Sequence, residues 1–89
     1  MKNLVHLTGT GRLYEGARQL CTVHYVILVQ RIATGTSDLD ERISGIIDPI
    51  GATIKELLGR RLTMLLEDAR KLDFYLTDKG FVVPIAAIY

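Results

Sequence analysis

The chain has 89 residues, of which 48% are hydrophobic, and eleven basic against ten acidic residues give a formal net charge of +1. This length predicts a single domain spanning residues 1–89, and the apolar content excludes an intrinsically disordered chain. The near balance of charge argues against the strongly basic class of domains that hold nucleic-acid backbones without sequence preference.

Targeting and redox signals are sparse. One cysteine, Cys21, excludes an internal disulfide, on which small secreted domains often rely. Residues 1–9 lack the apolar core of a signal peptide, and the longest apolar tract, residues 82–89, is too short to span a bilayer and contains Pro84. We therefore expect a soluble cytoplasmic protein that does not contact membranes.

Residues 3–14 alternate in character along the chain. Val5, Leu7 and Leu13 share one face with Gly9 and Gly11, while largely polar side chains occupy the other. A period of two over this length predicts a β-strand, and residues 15–17 are predicted to form the turn after it.

Residues 20–32 carry the strongest strand signal. Cys21, Val23, Tyr25, Ile27 and Val29 form a wholly apolar face, and β-branched and aromatic residues are frequent. The two segments together predict a long antiparallel hairpin.

The middle of the chain is less regular. Residues 33–41 read as a polar loop, and residues 42–48 indicate a strand that is broken or bulged at Gly45 and stopped by Asp48 and Pro49. A helix remains the alternative for residues 38–47, since Ser37 and Asp40 have the spacing of a helix cap. Residues 53–59 predict one short helix, capped by Thr53 and closed by Gly59.

The last third of the chain predicts three more strands. Leu62, Met64 and Leu66 alternate before a turn at residues 67–70, and a returning strand runs to Leu76. A tight turn at residues 77–80 leads into a final strand over residues 81–89, in which Pro84 favours an edge position.

The predicted fold class is therefore mainly β. About six antiparallel strands and one short α-helix in so short a chain are most economically arranged as a small six-stranded barrel or a rolled sheet. This architecture loosely resembles the small barrels that bind cyclic dinucleotides. Their arginine-rich entry motif and their Asp-x-Ser-x-x-Gly motif are both missing here, which removes the reason to expect that ligand.

Three glycines in "GTGRLYEG", residues 9–16, raise the possibility of a phosphate-binding loop. Such a loop follows a strand and opens a helix, whereas these glycines lie inside a predicted strand and precede another. We interpret Gly9 and Gly11 as sites of bending or close packing within that strand.

Other side chains with chemical potential are isolated. His6 and His24 are predicted to share one face of the hairpin, as diagonal neighbours, but a useful metal site needs three or four ligands. Cys21 points to the opposite face and has no adjacent base, so an inert thiol is favoured. We expect no catalytic residue, no metal and no cofactor, and the sequence favours a binding module over an enzyme.

A basic patch is the first alternative basis for function. Small barrels with basic side chains and exposed aromatic rings can hold a nucleic-acid strand. The alternation of the strands predicts that the rings of Tyr14 and Tyr75 point outward. The candidate nucleic-acid-binding residues are Lys55, Arg60, Arg61, Arg70 and Lys71.

The main indication of function is that the chain has more apolar side chains than one face of its strands can bury. Several strands carry apolar side chains on both faces, which is expected where something covers both sides of the sheet. The candidate interface residues are Val26, Leu28, Leu65, Val83, Ile85 and Tyr89. The sequence therefore predicts a non-enzymatic assembly or binding module that forms homo-oligomers through apolar strand faces. Oligonucleotide binding and a small-ligand site at a subunit interface are the two alternatives, and the identity of any small ligand stays open.

Overall fold

The computed structural model describes the backbone of residues 2–33 and 39–89 and the side chains of residues 4–30 and 42–89. Within these residues, six antiparallel strands form one sheet in the order β3-β2-β1-β4-β5-β6, and one short helix joins β3 to β4. The elements are β1 (Lys2–Glu15), β2 (Arg18–Ala33), β3 (Leu39–Ile50), α1 (Ile54–Leu57), β4 (Leu62–Leu65), β5 (Lys71–Leu76) and β6 (Val82–Pro84).

The two edge strands, β3 and β6, nearly close the sheet into a barrel. Ile46 and Phe81 form an isolated bridge, and the Ile47 N–H donates a hydrogen bond to the Gly80 carbonyl over 3.1 Å. The predicted class, a small antiparallel barrel with one short helix, is confirmed.

The core is built from alternate residues of each strand, as the period of two predicts. On β2, Val23, Tyr25, Ile27 and Val29 are buried, and Cys21 is half-buried against the same cluster. The other buried hydrophobic residues are Leu13, Ile47, Leu57, Leu62, Met64, Leu66, Leu72, Phe74, Leu76 and Val82. The interior is thus wholly apolar over the described side chains, and polar chemistry is confined to the outer surface.

The β1–β2 hairpin is long and, together with β3, continues past the point where β1 pairs with β4. Its strands pair from Lys2 opposite Ile32 to Glu15 opposite Arg18, with a register shift after Leu13. Gly16 has a φ of 60° at the first central position of the turn, where type II′ hairpins require a glycine. The predicted hairpin and its turn are confirmed.

β3 corrects four of our expectations. It is neither broken nor bulged at Gly45, because its pairing with β2 runs through that residue without a register shift. Residues 39–50 form a strand, so the helical alternative is wrong. The predicted polar loop is also wrong in part, because Ala33 lies in β2 and residues 39–41 lie in β3. Its remaining residues, 34–38, lie outside the described part of the chain. Pro49 does not stop β3. Alternate residues of a strand direct their backbone nitrogens to the same side, and the N–H of Ile47, two residues earlier, points away from β2 toward Gly80. A proline nitrogen on that side removes no bond to β2.

The predicted helix is present in shortened form. Thr53 caps α1, since its hydroxyl oxygen accepts the N–H of Glu56 over 3.3 Å, and Leu57 is buried. Gly59, two residues after the end of α1, has a φ of 75°, the left-handed conformation that ends many helices. At four residues, α1 connects β3 to β4 and covers one part of the core.

The C-terminal segment departs from the predicted long strand. β6 ends at Pro84, although the Ile85 N–H still donates to the Asp73 carbonyl over 2.9 Å. Lys71 and Tyr89 then exchange two backbone hydrogen bonds, of 2.6 and 2.9 Å. The C-terminal segment advances four residues between these contacts while β5 advances only two, so residues 86–88 bulge out of the ladder. The expectation of a continuous strand over residues 81–89 is wrong for this reason.

The turn between β4 and β5 contains a strained residue. Ala69 has a φ of 70°, a conformation that costs a residue with a Cβ about 1–2 kcal/mol. Asp68 stabilises the same turn, because its carboxylate accepts the Arg70 N–H and guanidinium over 3.0 and 2.7 Å. Those bonds, the backbone one first, hold the pKa of Asp68 below its ordinary value.

Ala69→Gly is therefore expected to raise the free energy of unfolding by about 0.5–1 kcal/mol. Relief of the left-handed strain exceeds the extra backbone entropy that glycine gives the unfolded chain. Urea denaturation of the two proteins measures the difference. Ala69→Val, which keeps the strain and adds a β-branch, should be less stable than the wild type, and equal stabilities of all three proteins would contradict the interpretation.

Candidate functional site

The glycine-rich stretch serves packing. A Cβ on Gly11 would lie 2.6 Å from the Leu65 carbonyl oxygen and 3.2 Å from the Tyr25 ring, and one on Gly9 would meet the Glu67 carboxyl group. Both glycines lie within β1, which leads into the hairpin turn and then into β2 rather than into a helix. The close-packing interpretation is confirmed, and the geometry of a phosphate loop is not present.

The Glu67 carboxylate uses the space that Gly9 leaves. Its Oε1 accepts the backbone N–H of Thr10 over 3.0 Å, and the Glu67 N–H donates to the Tyr25 hydroxyl over 3.0 Å. The β4–β5 turn is thereby attached to β1 just beyond the point where β1 stops pairing with β4. Sequence patterns gave no signal for this contact, because it joins residues 57 positions apart.

The two histidines are not neighbours. His24 lies opposite Thr10, whose hydroxyl oxygen is 3.1 Å from His24 Nδ1, while His6 lies opposite Leu28. They do share one face of the hairpin, but the expectation that they are diagonal neighbours is wrong, because His24 is four positions along β2 from the residue opposite His6 and a diagonal neighbour would be two positions away. Over the residues that the structure describes, no group of three or more histidine, cysteine or acidic side chains could hold a metal ion.

Cys21 is half-buried beside the core. Desolvation raises the pKa of its thiol, and the negative charge of Glu56 raises it further. Because the thiolate is the reactive form, this environment opposes nucleophilic chemistry at neutral pH.

The basic candidates do not form one patch. Arg60 and Arg61 precede β4 and Arg70 and Lys71 come after it, about 13 Å apart along the strand at about 3.4 Å per residue. Lys55 lies on α1. The guanidinium groups of Arg60, Arg61 and Arg70 approach carboxylates.

These carboxylates belong to Glu15, Asp73 and Asp68, at 2.9, 3.8 and 2.7 Å respectively. A phosphate backbone would have to compete with these ion pairs. The arrangement gives little support to a nucleic-acid interface.

A cavity of about 390 Å³ lies on the outer face of β1, β4 and β5. Tyr14, Lys71 and Tyr89 line it together with Thr63. Beside it, the Asp73 carboxylate accepts the hydroxyls of Thr63, over 2.6 Å, and Tyr89, over 3.1 Å. Partial desolvation raises the pKa of Tyr89, and its bonds to Asp73 raise it further. Asp73, Thr63 and Tyr89 are thus hydrogen-bonded to one another, which is the chemistry of a structural cluster.

A continuous row of exposed apolar side chains crosses the other side of the barrel. Val26 on β2 lies opposite Ile46 on β3, and Ile46 is bridged to Phe81. Tyr75 on β5 lies opposite Val83 on β6. With Ile85 added, we call this set the apolar stripe; its members are Val26, Ile46, Tyr75, Phe81, Val83 and Ile85, each 39–50% exposed.

The stripe contains three of the six predicted interface residues: Val26, Val83 and Ile85. Leu28 is half-buried two positions from Val26 on the same face of β2. Leu65 and Tyr89 instead line the cavity on the other side of the barrel. Sequence reasoning missed Ile46, because the glycine before it obscured which face of β3 points outward.

No helix of the described chain is long and apolar enough to cross a membrane. No protein-family model, curated protein or solved structure matches this sequence.

Proposed function

We propose that this domain is a non-enzymatic assembly module in which the apolar stripe of one copy packs against the stripe of a second copy. The observation that carries the proposal is the continuity of the stripe across four strands. Its six apolar side chains point outward from their strands and stay 39–50% exposed, so no described residue covers them fully and a partner can do so.

The size of the stripe fits the centre of a dimer interface. Taking about 150–250 Å² for a large side chain, six residues at 39–50% exposure present on the order of 500 Å². A standard interface buries about 800 Å² from each partner, with an apolar centre and a polar rim. The stripe supplies such a centre, and Ser44 and Asp48, on the same face of β3 as Ile46, supply polar groups for the rim.

The charge distribution favours a second copy over a charged foreign partner. The stripe has no ionisable group of either sign except the Tyr75 phenol, so nothing in it selects an acidic or basic surface. The net charge of +1 means that two copies repel each other weakly. Two apolar surfaces without charge can also meet about a two-fold axis, as a symmetric interface requires, with no like charges placed opposite each other.

Val83→Glu combined with Phe81→Glu tests the proposal. Burying a carboxylate opposite an apolar surface is costly, so the average mass in solution should fall by at least a factor of two. Sedimentation velocity at micromolar concentration measures the mass, and circular dichroism checks that both proteins are folded.

Leu58→Glu is the matched control, because Leu58 is exposed to a similar degree but lies after α1, outside the stripe. It should leave the mass unchanged. Equal masses for the wild type and the Phe81→Glu/Val83→Glu variant, or the same loss in Leu58→Glu, would overturn the proposal.

A further inference from the structure

β1 has a long free edge. On one side it pairs with β2 over its whole length, but on the other it pairs with β4 only at Arg12, Leu13 and Tyr14. Within the described residues, the edge that precedes Arg12 has no strand beside it. Beside it lies a cavity of about 230 Å³, which His6 and Thr8 line together with Glu67 and Asp68 of the β4–β5 turn.

The alternation of the strand determines which residues direct their backbone groups toward this edge. Thr10 points its N–H away from β2, since that N–H reaches Glu67. Alternate residues of an antiparallel strand direct their N–H and C=O groups to the same side. Leu4, His6 and Thr8 therefore present their backbone groups to the open edge, while the Glu67 carboxylate occupies the next position, at Thr10.

The other two sheet edges are protected against pairing, whereas β1 is not. On β3, Pro49 places its nitrogen on the side that faces away from β2, as Ile47 does with its N–H, and residues 40–42, farther along that edge, are all charged, which also discourages pairing. On β6, Pro84 does the same, because the neighbouring Ile85 directs its N–H to β5. Proline on an edge strand is a common device against edge-to-edge association. Residues 4–8 contain no proline, lysine, arginine or acidic residue.

Apolar side chains accompany this open edge on both faces. Leu4 is 55% exposed and Val5, on the opposite face, is 41% exposed. Neither belongs to the apolar stripe. A strand added beside β1 would cover both, in addition to satisfying the backbone groups.

We infer that the β1 edge at residues 4–8 is a second assembly site, which pairs antiparallel with the β1 edge of another copy. Antiparallel pairing of one segment with itself about a two-fold axis is self-complementary, and residues 4–8 carry no charge of fixed sign that would repel a copy. The contact joins two sheets into one through main-chain hydrogen bonds. It is independent of the apolar stripe, so a chain with both sites forms assemblies larger than dimers.

His6→Pro tests the inference against His6→Ala. Proline removes the N–H that faces the edge but no bond to β2, whereas alanine keeps that N–H and removes only the side chain. Both changes are made in the Val83→Glu protein, where the stripe is disabled, and the masses are compared by sedimentation velocity. We expect a dimer for Val83→Glu alone and with His6→Ala, and a monomer with His6→Pro.

The outcomes separate the two proposals. A monomeric Val83→Glu protein overturns the edge site and leaves the stripe, whereas a dimer that survives His6→Pro overturns backbone pairing at this edge. If Val83→Glu leaves the wild-type mass unchanged and His6→Pro then halves it, the stripe fails and the edge stands. Amide hydrogen exchange of folded His6→Pro and His6→Ala proteins gives a second readout: protection at Leu4 and Thr8 is expected only with alanine, and equal protection in both overturns the inference.

Discussion

Gly11→Ala is expected to lower the free energy of unfolding by about 3 kcal/mol, at the upper end of the range for overpacked cores. The added Cβ would lie 2.6 Å from the Leu65 carbonyl oxygen, which belongs to the β4 backbone and cannot rotate away. The Tyr25 ring, at 3.2 Å, closes the other side. Urea denaturation measures the loss, and a phosphate-loop role would instead predict an unchanged stability.

Gly9→Ala is the matched control on the same face of the same strand. Its Cβ would meet only the end of the Glu67 side chain, which can move aside at the cost of its hydrogen bond to Thr10. We expect a loss of about 1 kcal/mol or less. Equal losses at Gly9 and Gly11 would contradict the β1–β4 register on which the close approach depends.

Phe74→Ala is expected to cost about 4 kcal/mol, because Phe74 is fully buried and its removal leaves a cavity that the barrel cannot fill. Phe74 lies at the centre of β5, opposite Leu62 on β4 and Pro84 on β6. The cavity would therefore disturb three strands at once. Thermal and urea unfolding give the measurement.

Tyr75→Ala changes the next residue and reverses the expectation. Tyr75 points outward and is 42% exposed, so its truncation should change the stability of a single chain by less than about 1 kcal/mol. Its place in the apolar stripe predicts weaker self-association instead. A severe loss of stability in Tyr75→Ala together with a mild loss in Phe74→Ala would mean that Tyr75, not Phe74, points into the core, and this would contradict the fold.

Side-chain alternation carried most of the fold prediction. It assigned the buried faces of β2, β4 and β5 correctly, because each of these strands has one wholly apolar face. The helix was predictable for a different reason: Thr53 and Glu56 have the capping spacing, and Gly59 supplies the left-handed end. Local chemistry and periodicity agree at these positions, so one sequence suffices.

Where prediction failed, position in the sheet decided the outcome. Pro49 looked like a strand end, yet an edge strand tolerates a proline whose nitrogen faces away from its neighbour. The bulge at residues 86–88 also arises from tertiary contacts, since Lys71 pairs with Tyr89 and Asp73 with Ile85. Neither could be predicted before the strand order was known.

The candidate surface was only half predictable for the same reason. Alternation along the strands predicted outward-pointing apolar side chains at Val26, Val83 and Ile85. It predicted the same for Leu65 and Tyr89, which lie on the far side of the barrel. Only the bridge between Ile46 and Phe81 shows that β3 and β6 bring their apolar residues into one stripe.

The most direct test of self-assembly is sedimentation equilibrium of the wild-type protein over a dilution series. An assembly module predicts an average mass of at least two chains at micromolar concentration, falling toward that of one chain on dilution. A single-chain mass at every concentration up to the highest that stays soluble would contradict the assembly function.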